Sequence, residues 1–171
     1  MEPSKPTVFV VDDDEEVRSA LKLLFESVGL PVICYPSALA YLEQFNESLP
    51  GCLVVDIRMP GMSGLDMQEK LAERPIHPPV IIITGHGDVP MAVRAVQAGA
   101  VNFIEKPFRD QILLDSVHRA IEMDAERRGE ASRLTEIREH LDQLTPRERE
   151  VLDLVISGMR NKNISQQMGI T

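Results

Sequence analysis

The stretch that decides the fold of this chain is Cys52-Leu53-Val54-Val55-Asp56, with Arg58-Met59-Pro60-Gly61-Met62-Ser63-Gly64 just after it. The four apolar residues form a run that is typical of a strand buried on both faces of a parallel sheet. The segment rich in Pro and Gly indicates a loop. Doubly wound α/β sheets place their reactive groups at the carboxyl ends of the strands. The stretch therefore predicts a functional carboxylate, Asp56, at the end of a buried strand.

Three further strand-like runs end in side chains that belong with Asp56. Thr7–Val11 runs into Asp12-Asp13-Asp14, Pro79–Ile83 into Thr84, and Val101–Glu105 into Lys106. Because the carboxyl ends of parallel strands share one edge of the sheet, acids, a hydroxyl and an amine should converge there. This combination predicts a phosphoryl-transfer site with its acceptor carboxylate built in.

Helical patterns alternate with the strands. Apolar residues recur at helical spacing from Val17 to Val28, and Gly29 is placed to end that helix. A strand-like run follows at 31–35, Ser37 can cap a helix through Phe45, and further helices are indicated at 65–72, at 90–98 and from about 109 onward. Five strand–helix units with short connections predict an α/β domain, a parallel sheet with helices on both faces.

The last helix of this pattern runs on beyond the α/β domain. Its apolar stripe lapses near Gly129, a weak point for a helix, and resumes with a seam-like spacing from Leu134 to Leu144. Thr145, Pro146 and Glu148 then match a capping box at the start of a new helix. Helices ending at Gly158 and covering 161–168 follow, and Thr171 would cap a third. These helices are too small to bury their own apolar faces, so we expect an incomplete domain.

Composition excludes several classes of protein. Of the 171 residues, positions 1–124 hold 19 acidic and 10 basic side chains, and positions 125–171 hold 8 of each, for a net charge of -9. An acidic first part is a poor nucleic-acid binder. The apolar runs are strand-sized, and acids precede any signal-peptide core, so we expect a cytoplasmic protein with no membrane association. Cys34 and Cys52 are expected to be buried thiols.

The acidic residues Asp12, Asp13 and Asp56 predict a cation site. Carboxylates crowded at one edge repel one another unless a cation lies between them. Mg²⁺ prefers oxygen ligands and keeps several waters, so two carboxylates, one backbone carbonyl and waters would suffice, with Mn²⁺ or Ca²⁺ as substitutes. Thr84 and Lys106 add a hydroxyl donor and a positive charge for phosphate oxygens. His86 has no second ligand near it in sequence and is expected to be non-catalytic.

These motifs resemble a receiver domain of the FixJ type over residues 7–122. The resemblance is carried by four segments: Val11-Asp12-Asp13, Asp56 with 58–64, Thr84 to Ala92, and Phe103 to Phe108. Residues 144–152, 161–162 and 169–170 are similar to the first half of a LuxR-type helix-turn-helix domain. Within the family, the chain resembles regulators of aromatic-hydrocarbon breakdown.

The resemblance implies a two-component response regulator with a flavodoxin-like sheet in the order 2-1-3-4-5. Residues 1–124 would form the receiver, 125–143 a helical linker, and 144–171 the first part of an all-α DNA-binding domain. The recognition helix, and with it every expected DNA-binding residue, is missing from this chain. The full-length parent would regulate transcription by binding promoter DNA and acting with RNA polymerase.

The resemblance also assigns roles around Asp56. This residue would accept phosphate from a sensor histidine kinase. Asp13, Asp56 and the carbonyl of Arg58 would bind Mg²⁺ directly, and Asp12 would bind it through water. The chemistry would be limited to the protein's own phosphorylation and dephosphorylation, so the chain is not expected to be an enzyme acting on other substrates.

A switch is implied at three further residues. Thr84, Phe103 and Lys106 would report the phosphate to the face formed by helix 4, strand 5 and helix 5, and phosphorylation would drive formation of a homodimer. The resemblance further implies a cis peptide bond between Lys106 and Pro107. Phe103 stands where many receivers have Tyr, which excludes a switch that relies on a ring hydroxyl.

Other protein classes share parts of this pattern. Haloacid-dehalogenase-like phosphatases use a strand-end Asp, Mg²⁺, a hydroxyl and a Lys, but need a second Asp two residues after the nucleophile, where this chain has Arg58. A flavodoxin-like FMN carrier needs a glycine- and hydroxyl-rich phosphate loop after the first strand, and Asp12-Asp13-Asp14 would repel phosphate instead. A pure interaction module remains open only if Asp56 is never phosphorylated.

Overall fold

The computed structural model describes residues 5–169 of the chain. These residues divide into two compact units, with the boundary between Arg127 and Arg128. Ile170 and Thr171, on which part of the helix-turn-helix pattern rests, lie outside the described residues. The division into a receiver to 124, a linker and a DNA-binding segment from 144 remains a prediction.

The first unit is built on one parallel sheet of five strands. The strands are β1 (Thr7–Val11), β2 (Val32–Tyr35), β3 (Gly51–Asp56), β4 (Val80–Thr84) and β5 (Asn102–Glu105), in the order β2-β1-β3-β4-β5. The strand order expected from the resemblance is confirmed. The register pairs Val11 with Val55, Asp56 with Ile83, and Thr84 with Glu105, which brings the carboxyl ends of four strands to one edge.

Helices connect the strands in regular alternation. They are α1 (Glu15–Ser27), α2 (Ala38–Gln44), α3 (Gly64–Ala72), α4 (Val89–Gln97) and α5 (Asp110–Asp142). Each of the first four begins after a residue whose side chain accepts a hydrogen bond from a backbone N–H in the first turn, namely Asp14, Ser37, Ser63 and Asp88. Such N-caps satisfy donors that the helix itself leaves unpaired, so the sequence sets where these helices begin.

The sheet has an apolar core on each face, as expected for a doubly wound fold. Alternate residues of the central strands, such as Leu53 and Val55, pack with α2, α3 and α4, while Cys52 and Val54 pack with α1 and α5. All six residues of β3 are buried. Because β3 is covered on both faces and both edges, Asp56 is held at the end of a closely packed strand.

A buried contact ties the opposite end of β3 to α5. The backbone N–H of Gly51 donates to Oδ2 of Asp124 at 2.8 Å, and Asp124 is only 2% exposed. Gly51 has φ +147°, and a Cβ at this position would collide with the carbonyl oxygen of Thr7. Only glycine fits there, and the carboxylate supplies the acceptor that its N–H requires.

The cysteines differ in burial. Cys52 is fully buried, as predicted, but Cys34 is only half-buried, so the expectation of two buried thiols is wrong for this residue. The reason is that Cys34 lies in β2, an edge strand that has a neighbour on one side only. Its Sγ is 3.9 Å from the carbonyl oxygen of Arg18.

The second unit consists of the end of α5 and two further helices, α6 (Pro146–Ile156) and α7 (Asn161–Met168). The predicted capping box is confirmed: Thr145 and Glu148 each bind the other's backbone N–H at the start of α6. Ile164 of α7 is buried, whereas Ile156 of α6 is 73% exposed. α5 continues through Gly129 without a break, so the weak point expected there does not interrupt the helix. In the described part of the chain, the helices are too short or too polar to cross a membrane.

Candidate phosphoacceptor site

Four strand ends form an open, acidic cavity at one edge of the sheet. The cavity has a volume of about 260 Å³. It is lined by Asp12, Asp13, Asp14, Val17, Asp56, Arg58, Thr84, Gly85, His86 and Lys106. The convergence predicted from the sequence is therefore present, and Phe103 is the one expected switch residue outside this lining.

Lys106 is the positive centre of the cavity. Its Nζ lies 3.3 Å from Oδ2 of Asp12 and 3.2 Å from Oδ1 of Asp56. Burial by itself lowers the pKa of the Lys106 ammonium, but the charges of the two carboxylates outweigh it, and the pKa is raised. Lys106 is therefore a fixed cation shared by two buried acids.

Asp12 is the acid of this cavity whose ionised form is destabilised. Only 2% of Asp12 is exposed, and this burial raises the pKa of its carboxyl group. The charge of Asp56 also raises the pKa, whereas the Asp14 N–H and Lys106 lower it without cancelling the effect of burial. The ionised form is thus less stable here than in water. A further positive charge in the cavity would stabilise the ionised form of Asp12.

The Asp56 carboxylate is oriented by two donors. Oδ1 faces Lys106, and Oδ2 accepts a hydrogen bond of 2.7 Å from the backbone N–H of Arg58. The loop that supplies this N–H returns at Gly64, where a Cβ would lie 2.3 Å from the carbonyl oxygen of Asp56. Glycine is needed for that close approach, and the sequence analysis did not assign it this role.

The acidic loop after β1 is held by α1. Oδ1 of Asp12 accepts from the Asp14 N–H at 2.9 Å, and Asp14 in turn caps α1 through the Glu16 N–H at 2.9 Å. The guanidinium of Arg18 donates to the carbonyl oxygens of both Asp12 and Asp13. Sequence analysis missed Arg18, because a basic residue in the first turn of an amphipathic helix has no distinctive local pattern.

Thr84 and Phe103 meet at a glycine that the sequence analysis also missed. Thr84 is fully buried, and its Oγ1 accepts from the His86 N–H at 3.3 Å. A Cβ on Gly87 would lie 2.9 Å from Cε1 of Phe103 and 3.2 Å from the Thr84 methyl carbon. The loop backbone at Gly87 therefore contacts both side chains of the expected switch.

The residues present fit a hard divalent cation. The cavity offers carboxylate and backbone oxygens, which Mg²⁺ prefers, and its open volume leaves room for waters. Among residues 5–169, no three acidic, His or Cys side chains converge closely enough to form a complete metal cage. A site with two carboxylates, one carbonyl and waters does not require such a cage.

Two family models match the chain. The response regulator receiver domain matches residues 8–118, and the bacterial regulatory proteins of the luxR family match residues 142–171. The first match covers the sheet from Val8 onward and the cavity at its edge. The second begins three residues before the capping box of the second unit.

Similar proteins cover nearly the whole chain. Nodulation protein W of Bradyrhizobium diazoefficiens is 47% identical over 98% of this chain and 74% of its own length. Transcriptional regulatory protein FixJ of Rhizobium meliloti is 42% identical over 96% of this chain and 81% of its own length. The solved structure of the response regulator StyR superposes with a TM-score of 0.89 at 45% identity, covering 98% of this chain and 85% of that one.

Proposed function

Because this chain belongs to the response regulators that join a receiver domain to a LuxR-type DNA-binding region, we propose that Asp56 is its phosphoryl acceptor. The observation that carries the proposal is the convergence of Asp12, Asp56, Thr84 and Lys106 in one cavity. Its family takes part in two-component control of transcription. The phosphoryl donor is then a phosphohistidine of a sensor histidine kinase, or a small phosphodonor.

The transfer is a single in-line displacement. A carboxylate oxygen of Asp56 forms a bond to phosphorus while the bond from phosphorus to the donor's nitrogen or oxygen breaks, and the leaving group departs with its electron pair. Lys106, already 3.2 Å from Asp56, supplies positive charge for the phosphoryl oxygens. The Arg58 N–H keeps the carboxylate oriented during attack.

Asp12, Asp13, Asp56 and the Arg58 carbonyl are the residues that would hold Mg²⁺. When bound, Mg²⁺ offsets negative charge on the acids and on the transferring group. This proposal is supported by the raised pKa of Asp12, which burial and the neighbouring Asp56 cause. We assign the protein a signalling role, with no chemistry beyond its own phosphorylation and dephosphorylation.

The output of the site is proposed to run through Thr84 and Phe103. The Thr84 hydroxyl now accepts a hydrogen bond from the His86 N–H. When it turns toward the phosphate it gives up that bond, and the nearby Phe103 ring can fill the space it leaves. The change would reach α4, β5 and the start of α5, and we infer that this surface forms a homodimer. We further propose that the LuxR-type region, in its complete form, binds promoter DNA and acts with RNA polymerase in the cytoplasm.

Labelling by a small phosphodonor tests the acceptor assignment. Asp56 should be labelled with Mg²⁺ present and not after chelation. Asp56→Asn should abolish labelling, whereas Asp66→Asn, at an exposed acid on α3, should leave it unchanged. Undiminished labelling of the Asp56 variant would overturn the proposal.

Sedimentation tests the output separately. An acyl-phosphate mimic such as beryllofluoride should convert the wild-type chain from monomer to dimer. Thr84→Ala should weaken this response while leaving labelling of Asp56 in place. A chain that stays monomeric with the mimic bound, or dimerisation indifferent to Thr84→Ala, would contradict the proposed switch.

A further inference from the structure

Arg18 connects helix α1 to the acidic loop by two short hydrogen bonds. One nitrogen of its guanidinium, Nη1, donates to the carbonyl oxygen of Asp12 at 2.8 Å and to that of Asp13 at 2.9 Å. Both distances are typical of strong hydrogen bonds from a charged donor. Arg18 is half-buried, and of its two bonds the one to Asp12 is partly buried and the one to Asp13 is exposed.

These bonds set the conformation of the loop. Asp12 is held on three sides, by Lys106 at Oδ2, by the Asp14 N–H at Oδ1 and by Arg18 at its carbonyl. Asp13 differs: Arg18 holds its backbone, whereas within residues 5–169 no hydrogen bond is formed by its exposed carboxylate. Asp13 lines the cavity, and the one described hydrogen bond that holds it there is the bond from Arg18 to its carbonyl oxygen.

Arg18 also supplies a positive charge to the backbone of the loop, whereas Lys106 bonds to the Asp12 side chain. Three consecutive acids, Asp12, Asp13 and Asp14, repel one another, and a guanidinium bonded to two of their carbonyls offsets part of that repulsion. Arginine is suited to this place because its charge is permanent and its donors are held in a plane. A lysine at this position would keep the charge but end one bond short of the carbonyl oxygens.

We propose that Arg18 is a positioning residue that shapes the acidic loop to receive the divalent cation. The inference rests on the proposed function, since it assumes that Asp12, Asp13 and Asp56 take Mg²⁺. Arg18 does not touch the cation in this scheme. It acts through the backbone of Asp12 and Asp13, as residues behind a metal's direct ligands do elsewhere.

The test measures Mg²⁺ affinity of the unphosphorylated chain by isothermal titration. Arg18→Gln removes the charge and the Nη1 donor of both hydrogen bonds, whereas Arg18→Lys keeps only the charge. Both should raise the Kd for Mg²⁺ by roughly tenfold or more, the range found when such supporting residues are lost. Lys22→Gln, which removes the same charge from an exposed position of α1, should stay near wild type.

The outcomes separate positioning from simple charge. If Arg18→Lys binds Mg²⁺ like wild type while Arg18→Gln does not, the charge of residue 18 is sufficient. The proposal that the two hydrogen bonds of Arg18 position the loop is then overturned. If both variants bind like wild type, Arg18 has no role in the site. A wild-type chain that binds no Mg²⁺ overturns this inference together with the metal part of the proposed function, whereas labelling of Asp56 is tested independently.

Two further measurements distinguish a positioning role from a general loss of folding or of phosphoryl transfer. Amide exchange of Asp14, whose N–H donates to Oδ1 of Asp12, should accelerate in the metal-free chain of both Arg18 variants, while exchange in the β3 strand stays unchanged. Labelling of Asp56 at saturating Mg²⁺ should return to within about threefold of wild type, because the defect is one of affinity. Faster exchange throughout the sheet, or a rate defect that saturating Mg²⁺ leaves in place, would count against a positioning role.

Discussion

The Nζ atom of Lys106 lies 3.2 Å from Oδ1 of Asp56, although fifty positions separate the two residues in the chain. The same ammonium is 3.3 Å from Oδ2 of Asp12. One cation thus pairs with two buried carboxylates and offsets the repulsion between them. The arrangement makes Lys106 both a reactive and a structural residue.

Replacing Lys106 by Met should therefore have two effects. Labelling of Asp56 by a small phosphodonor should slow by roughly 10²–10³-fold, the cost of removing one preorganised charge from a transition state. The thermal midpoint of the metal-free chain should also fall, because Asp12 and Asp56 then repel each other without a shared cation. Lys70→Met, on the exposed side of α3, is the matched control. Labelling at the wild-type rate would refute the role of Lys106.

Gly87 should be intolerant of a side chain that its neighbour Gly85 accepts. A Cβ at Gly87 would lie 2.9 and 3.0 Å from two ring carbons of Phe103, whereas a Cβ at Gly85 has no described atom within 4 Å. Gly87→Ala should lower the free energy of unfolding by about 1 kcal/mol through overpacking, and Gly85→Ala should have little effect. Urea denaturation measures both.

A double variant checks the cause. Phe103→Leu lacks the two ring carbons that the new methyl group would meet. Gly87→Ala should therefore cost less in the Phe103→Leu background than in the wild type, and a double-mutant cycle gives the difference. Equal costs in the two backgrounds would show that the Phe103 ring is not what Gly87 accommodates.

The contact between Asp124 and Gly51 should contribute measurably to stability. Asp124→Ala leaves a buried N–H without its acceptor, which costs about 1–3 kcal/mol. Asp124→Asn keeps an acceptor oxygen and should cost less. Asp115→Ala, at an exposed residue of α5 that bonds to Gln111, serves as the control. If thermal unfolding shows the same midpoint for Asp124→Ala and Asp115→Ala, the contact is not stabilising.

His77 should make the first unit sensitive to mild acid. Burial, aided by the charge of Arg127 and opposed by that of Asp124, lowers the pKa of His77 below its ordinary value of 6.5. The unfolded chain then takes up a proton before the folded chain does, so stability should fall as the pH drops below about 6.5. His77→Gln should lose less stability than wild type between pH 7.5 and 5.5. His118→Gln, at an exposed position, should follow wild type, and parallel profiles for all three chains would refute the assignment.

Local sequence signals were sufficient for most of the fold. The apolar runs of β1, β3 and β4 are strand-length, follow a Pro or Gly and end in polar residues, so the sequence alone was enough to predict them. Ser37 and Thr145 marked the starts of α2 and α6, because capping depends only on residues a few positions apart. The cis bond between Lys106 and Pro107, implied by the resemblance, is also confirmed.

Asp56, Thr84 and Lys106 could be grouped from sequence because parallel topology itself brings strand ends together. Every β–α–β crossover returns the chain to the same edge. The polar residue that ends or follows each of these strands therefore lies beside its counterparts. Their chemistry could be anticipated without knowing a single distance between them.

Tertiary packing alone decided the contacts that shape the site. Whether Cys34 is covered depends on β2 lying at the edge of the sheet, and the clearance at Gly87 depends on where the Phe103 ring lies. The bonds from Arg18 to the acidic loop and from Asp124 to Gly51 have no periodicity or motif. Where a repeating backbone geometry brings residues together, the sequence alone shows which groups will meet. Single side-chain contacts depend on the close packing of the whole unit, so only the tertiary structure shows them.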